Sequence, residues 1–301
     1  MVTPSKAKVG WIGLGKMGLP MAQRLIADGV LLTVYNRSAG PVQTLCALGA
    51  QAASSPKDLG SMNTVFTMVA DDVALRNVTV GPQGCYDHLQ PGTLHIDMST
   101  VSPELSGELA VAARTRGVFY LRAPVSGSTA AAAGGSLTIL ASGDQQAYEA
   151  AKPLLALFGK KFHYLGDGDQ ARYLKLAINL MLGVTAAMLG EAMALASKGH
   201  VDWRQAVAVI NDSAIASPLI GYKAHMVAER DFTPMFTVAQ MAKDLDLALA
   251  AANGGQVSTP VLALVREGFL ALKAQGHSEL DFFSYVNFVE SLANNSGSSP
   301  P

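Results

Sequence analysis

Lys175 and Asn179 stand four residues apart at the head of "KLAINLMLGVTAAMLG", in which residues 176–190 carry no charge. On a helix that spacing puts both side chains on one face, where an ammonium and a carboxamide could converge on one small polar group. A lysine opening so apolar a run costs desolvation unless it meets a partner, which marks Lys175 as a candidate acid–base group rather than a solvated cation. Two further clusters place polar residues in apolar surroundings. "IDMSTVSP" (96–103) delivers Ser99 and Thr100 at the end of a strand-like run, and "APVSGSTAAAAGG" (123–135) delivers Ser126, Gly127 and Ser128 after another. Hydroxyls beside close backbone N–H groups suit a carboxylate.

A third constellation is the glycine run "GWIGLGKMGLP", with Gly13, Gly15 and Gly18 spaced G-x-G-x-x-G. The first glycine makes a tight turn, the second lets a pyrophosphate approach the backbone, and the third lets the next helix sit close on the strand. The motif gains weight from its context. An apolar strand, "KVGWIG", precedes it; "LPMAQRLIADG" follows with Met21, Ala22, Leu25 and Ile26 at helical spacing; "VLLTVYNR" begins a second strand directly after Gly29. This is a βαβ dinucleotide-binding unit. Its contacts to a cofactor are expected from Gly13, Leu14, Gly15, Lys16, Met17 and Gly18, and from Met68 and Val69 at the end of the later strand "NTVFTMV". The second strand ends "YNRS", so Asn36 stands where an NAD-binding chain carries an acidic residue, with Arg37 and Ser38 beside it. A carboxylate would repel a 2′-phosphate and this trio attracts one, so NADPH is favoured, with NADH possible.

The elements that must position these residues follow from pattern. Strand-like runs separated by helical segments continue to "KFHYLG", which predicts a parallel sheet with helices on both faces, an α/β Rossmann domain over residues 1–166. Long helical patterns then take over, so residues 167–293 form an all-helical domain, and "NNSGSSPP" (294–301) is a polar tail too poor in apolar residues to order itself. The 301 residues, 15% of them charged, carry a net charge of −1, so no basic excess points to nucleic acid or an anionic membrane. The uncharged stretch 176–190 is short of the ~20 apolar residues a membrane span needs and reads as a helix buried in protein. Cys46 and Cys85 are far apart, without metal-ligand spacing, and read as buried thiols in a reducing cytoplasm; no metal is expected. His95, His163 and His225 are isolated and read as structural.

Taken together, "GWIGLGKMG" with "MAQRLIADG", "DMSTVSP", "APVSGS", "KLAIN" and "AKDLDLAL" resemble the β-hydroxyacid dehydrogenase family in order and separation, over nearly the whole chain. The "NRS" ending is most similar to that of the family's NADPH-using glyoxylate and succinic semialdehyde reductases. The resemblance implies hydride transfer between NADPH and a small carboxylate-bearing aldehyde or keto acid in a cleft between the domains, and a homodimer or homotetramer built through the helical domains. It makes Lys175 the catalytic lysine and Asn179 its companion. It also implies Thr100 beside the nicotinamide, Ser126 and Gly127 on the substrate carboxylate, Phe236 as a wall of the site, Lys243 on the cofactor and Asp244 in support. One departure stands out: the strand before "APVSG" commonly ends in aspartate and here ends in Arg122, which would either favour a more acidic or bulkier substrate or face solvent. Imine reductases share the fold but typically replace the lysine, so Lys175 argues against that assignment while imine reduction stays an alternative activity of the same fold. A dinucleotide-binding protein without catalysis is the other reading, and Lys175 is again the residue that separates the two.

Overall fold

A computed structural model describes residues 8–293; the tail expected over 294–301 lies outside them. Two compact units divide the chain, Met1–Lys175 and Leu176–Pro301. The first contains strands β1 (Lys8–Ile12), β2 (Leu31–Tyr35), β3 (Gln51–Ala52), β4 (Thr64–Thr67), β5 (Leu94–Asp97), β6 (Phe119–Arg122), β7 (Val125–Ser126), β8 (Leu137–Gly143) and β9 (Gly159–Tyr164). Helices α1 (Gly18–Ala27), α2 (Ala39–Cys46), α3 (Asp72–Thr79), α4 (Pro103–Arg114), α5 (Thr129–Ala133) and α6 (Gln145–Leu155) connect them. Helix α7 (Gln170–Lys198) runs across the division, and the second unit adds α8 (Trp203–Asp212), α9 (Pro218–Glu229), α10 (Val238–Gly254), α11 (Pro260–Ala274) and α12 (Tyr285–Leu292).

The first six strands are parallel in the order β3-β2-β1-β4-β5-β6, that of a Rossmann sheet, which reverses direction of growth between β1 and β4. Each strand alternates between two buried layers. Val9 and Trp11 of β1 with Phe66 of β4 enter the core that receives Met21 and Leu25 of α1, whereas Ile12 and Val65 enter the core under Leu105 and Leu109 of α4. Burial on both faces explains why these strands read as nearly continuous apolar runs. The run "VFYLRAPV", read as one strand, is broken at Ala123 and Pro124 into β6 and β7. Proline has no N–H for a ladder. The chain therefore leaves its place beside β5, and both pieces pair antiparallel with β8.

In the second unit, α10 and α11 pack on each other, and α7 joins their core, which includes Met241, Leu245, Leu262 and Phe269. Gly183 of α7 admits the close approach of Leu245, whose methyl carbons would lie about 3.2 Å from any added Cβ. Within one chain, helix α7 is only partly buried. Among the described residues it is the one helix long and apolar enough to cross a membrane by length and composition, and 44% of its most apolar window is buried. Leu174, Met181, Met188 and Leu195 are all between 40% and 75% exposed. Of the two cysteines, Cys85 is buried, its thiol pushed up to about 12 by desolvation, while Cys46 is only partly covered.

Candidate functional site

The glycine loop lies at the switch point between β1 and β4, and each glycine has its own reason. Gly13 adopts φ +97°, and a Cβ there would sit 2.2 Å from the Met68 carbonyl oxygen at the end of β4. A Cβ on Gly18 would sit 2.0 Å from the Gly13 carbonyl oxygen, so α1 can start against the strand only with glycine at that position. Gly15 is different: an added Cβ meets nothing within 4 Å, because its face is open. Helix α1 begins without a side-chain cap and without an acidic residue in its first turn. An uncapped N-terminus beside an open glycine is a cradle for an anionic group, so the loop fits a dinucleotide pyrophosphate. Lys16 is exposed and Met17 half-buried at its rim.

Asn36 ties this loop to the end of β2. Its Oδ1 accepts from Leu14 N at 3.0 Å and its Nδ2 donates to the Ser38 carbonyl at 3.1 Å, so the carboxamide holds the loop in place. Arg37 and Ser38 are exposed, and Ser38 stands at the start of α2 without using its hydroxyl as a cap. Tyr35, Asn36, Arg37, Val42, Gln43 and Ser54 help line a pocket of about 280 Å³ here. Its cation, hydroxyls and uncapped helix start suit a phosphate, and Gln43 and Ser54, unremarked in the sequence, join it only because α2 and the segment after β3 fold beside β2.

At the carboxyl end of β5, Ser99 is buried and its Oγ accepts from Val69 N at 3.0 Å, while Thr100 is half-buried. Behind them lies a polar network that the sequence did not announce. Arg172 donates to Asp97, to Tyr120 Oη and to the Ser99 carbonyl, and Asp97 also accepts from Thr67 Oγ1 at 2.6 Å. His95 Nε2 contacts Thr67 Oγ1 at 2.9 Å and His95 Nδ1 contacts Tyr86 Oη at 2.8 Å. Burial lowers the His95 pKa to about 4, so the ring is neutral. Arg122 does not face solvent. It is 5% exposed, donates from Nε to Asp169 at 2.7 Å and to Ser106 at 3.1 Å, and lies over the Tyr120 ring. Its charge is answered inside the protein, by Asp169.

Ser126 and Gly127 follow Pro124, with Gly127 at φ +144° and packed on Leu137 so closely that a Cβ would meet it at 2.7 Å. Ser128 caps α5, its Oγ accepting from Ala131 N at 3.2 Å. In the second unit, Asp244 is 1% exposed; it accepts a hydrogen bond from Asn179 Nδ2, and Lys243 Nζ lies 2.7 Å from its other oxygen. Asn179, Lys243 and Asp244 thus form one cluster, with Asp244 as the hub. Lys175 lies one helical turn before Asn179 on α7. Phe236 is half-buried against the edge of Phe282, on a turn whose N–H groups at Met235 and Phe236 donate to Asp281. Asp281 is paired with the buried Lys223, a second ion pair with no sequence signal, because its members are 58 residues apart.

Comparisons with known proteins bear on the fold and the family. Residues 8–166 match the NAD binding domain of 6-phosphogluconate dehydrogenase, and residues 169–289 match the NAD-binding domain of NADP-dependent 3-hydroxyisobutyrate dehydrogenase. The chain is 32% identical to glyoxylate/succinic semialdehyde reductase 2 of Arabidopsis thaliana, over 94% of this chain and 79% of that one. It is 34% identical to the NAD-dependent L-serine dehydrogenase of Pseudomonas aeruginosa, over 91% of this chain and 95% of that one. Among solved structures, a 3-hydroxyisobutyrate dehydrogenase from Salmonella typhimurium superposes with a TM-score of 0.86 at 26% identity, covering 94% of this chain and 99% of that one.

Proposed function

Since this chain belongs to the β-hydroxyacid dehydrogenase family and is an NAD(P)-dependent oxidoreductase, we propose that it reduces a small carboxylate-bearing aldehyde or keto acid with NADPH. The observation that carries this reading is Lys175, on the same helix as an Asn179 that the buried Asp244 holds in place. The dinucleotide, when bound, supplies the hydride. As negative charge grows on the substrate oxygen, Lys175 Nζ donates the proton; in the reverse oxidation it accepts one. Asn179 orients the same oxygen by hydrogen bonding. Ser126 Oγ and the Gly127 N–H hold the substrate carboxylate, Phe236 walls its apolar part, and Thr100 and Lys243 contact the cofactor. Gly13–Gly18 take the pyrophosphate, and Arg37 with Ser38 at the uncapped start of α2 takes the 2′-phosphate. A reducing cytoplasm suits the free thiols.

The test follows NADPH consumption with glyoxylate and with succinic semialdehyde, for the wild type and Lys175→Ala. General acid catalysis contributes about 10²- to 10⁴-fold, so kcat should fall by that factor or more while NADPH affinity holds. Lys175→Ala retaining more than about a tenth of wild-type kcat would show that the proton donor is another group. A wild type that binds NADPH yet reduces no small carbonyl acid would instead be a dinucleotide-binding protein.

A further inference from the structure

Arg172 lies one turn before Lys175 on α7 and is 1% exposed. Its guanidinium donates in four directions. Nη1 reaches the Ser99 carbonyl at 2.6 Å, Nη2 reaches Asp97 and, at 3.0 Å, Tyr120 Oη, and Nε reaches Ser106 Oγ at 3.3 Å. Asp97 ends β5, and its Oδ1 turns back to accept from Ser99 N at 3.2 Å. Arg172 therefore grips both the strand end and the residue that immediately precedes Thr100. A second arginine braces the same helix start, since Arg122 Nε reaches Asp169 at 2.7 Å and shares Ser106 Oγ with Arg172. Stability alone is a poor reason for this construction. Two buried charges lose their hydration, and packed apolar groups of the same volume often do as well or better. A planar guanidinium with its donors fixed in a fork does something apolar packing cannot: it sets the distance and angle between the elements it joins.

We propose that Arg172 is a positioning residue that fixes where Lys175 stands with respect to the Ser99–Thr100 turn, by riveting the first turn of α7 to the end of β5. This rests on the reading of Lys175 as proton donor. The charge at Arg122 is part of the same device: with Asp169 and Ser106 it holds the helix start from the β6 side. Lysine at 172 keeps the charge but presents one ammonium, which cannot serve the Ser99 carbonyl, Asp97 and Ser106 together.

The experiment is a double-mutant cycle in the full chain with Arg172→Lys, Lys175→Ala and the pair, assayed by NADPH consumption on the better of glyoxylate and succinic semialdehyde. A displacement of about 1 Å at a reacting group costs up to about a hundredfold, so Arg172→Lys should lower kcat about ten- to a hundredfold. KM for NADPH should change less than about twofold, because the phosphate contacts lie elsewhere. In the Lys175→Ala background the same substitution should cost less than about twofold, because its effect passes through the lysine. The alkaline limb of the kcat–pH profile, along which the donor loses its proton, should also move in Arg172→Lys, as a merely structural role would not require. An equal loss in both backgrounds, or wild-type kcat with an unmoved limb, overturns the proposal. Should Arg172→Lys fail to fold, Ser106→Ala, which removes the acceptor both arginines share, takes its place under the same criteria. Lys175→Ala retaining activity would overturn the reading of the lysine itself, an outcome read separately from the cycle.

Discussion

Arg37 could be given an expected role from type and place alone, because the chemistry is local: a strand end, a cation on it and a helix start beside it. Gly13 and Gly18 were legible for the same reason, since a positive φ at the first and close backbone approach at both are properties of one residue and its neighbours. Arg172 and Asp97 were not, because they are 75 residues apart and meet only once the sheet has formed. The burial of Arg122, which overturns the solvent-facing alternative, was hidden for the same reason, its partner Asp169 lying 47 residues on. Asn36 was read through the carboxylate it lacks, whereas the folded chain uses its carboxamide to hold Leu14. The exposed Arg37 is expected to set cofactor choice. Wild-type kcat/KM should be higher with NADPH than with NADH, and Arg37→Ala should raise KM for NADPH roughly ten- to a hundredfold, the worth of a charged hydrogen bond of about 1.5–3 kcal/mol. Steady-state kinetics with both cofactors checks this, and a wild type that prefers NADH would remove the assignment.

At the scale of elements, the alternation of strand and helix was readable from apolar periodicity, while two details were not. The break between β6 and β7 falls at Ala123 and Pro124, the latter without an N–H for a ladder, and α3, which no apolar pattern marked, is fixed by Asp71 capping Ala74 N. The carboxyl ends of β4 and β5 are joined by a hydrogen-bond chain whose direction is forced. Thr67 Oγ1 gives its one proton to Asp97, so it must accept from His95 Nε2–H, and His95 Nδ1 must then accept from Tyr86 Oη–H. The imidazole is thereby held neutral in one tautomer. Its pKa falls from the ordinary 6.5 to about 4 on folding, so between those values the unfolded chain binds the proton and the folded one does not. This contribution to stability is complete above pH 6.5 and is lost as pH falls towards 4, amounting to about 3 kcal/mol. Urea unfolding from pH 7 to 4 should show that loss, and His95→Gln should flatten the slope by up to about one proton in this window. An unchanged slope in His95→Gln would mean that the ring does not carry the effect.

The whole molecule poses the question that one chain leaves open on α7. Leu174, Met181, Met188 and Leu195 recur every seven residues along this helix and remain exposed, although other faces of it are packed under α10 and α12. The composition had announced an apolar helix in need of cover, but which side the chain itself would leave bare depended on the packing of Gly183 and Gly190, against Leu245 and Val286. A strict seven-residue apolar repeat is the pattern of a helix that lies along another helix, and an exposed seam of this kind marks an interaction surface. We expect the seam to be covered by a second copy of the chain, giving a homodimer or homotetramer. Light scattering at micromolar concentration should return a multiple of 31.4 kDa. Burying a methionine contributes about 1.5–3 kcal/mol, so Met181→Glu with Met188→Glu should weaken assembly by at least about a hundredfold. Because both side chains point out of the subunit, the variant should keep its fold and its NADPH affinity while its mass falls to that of one chain. A wild type already at one-chain mass, or a double variant that stays assembled, would place the interface elsewhere or remove it.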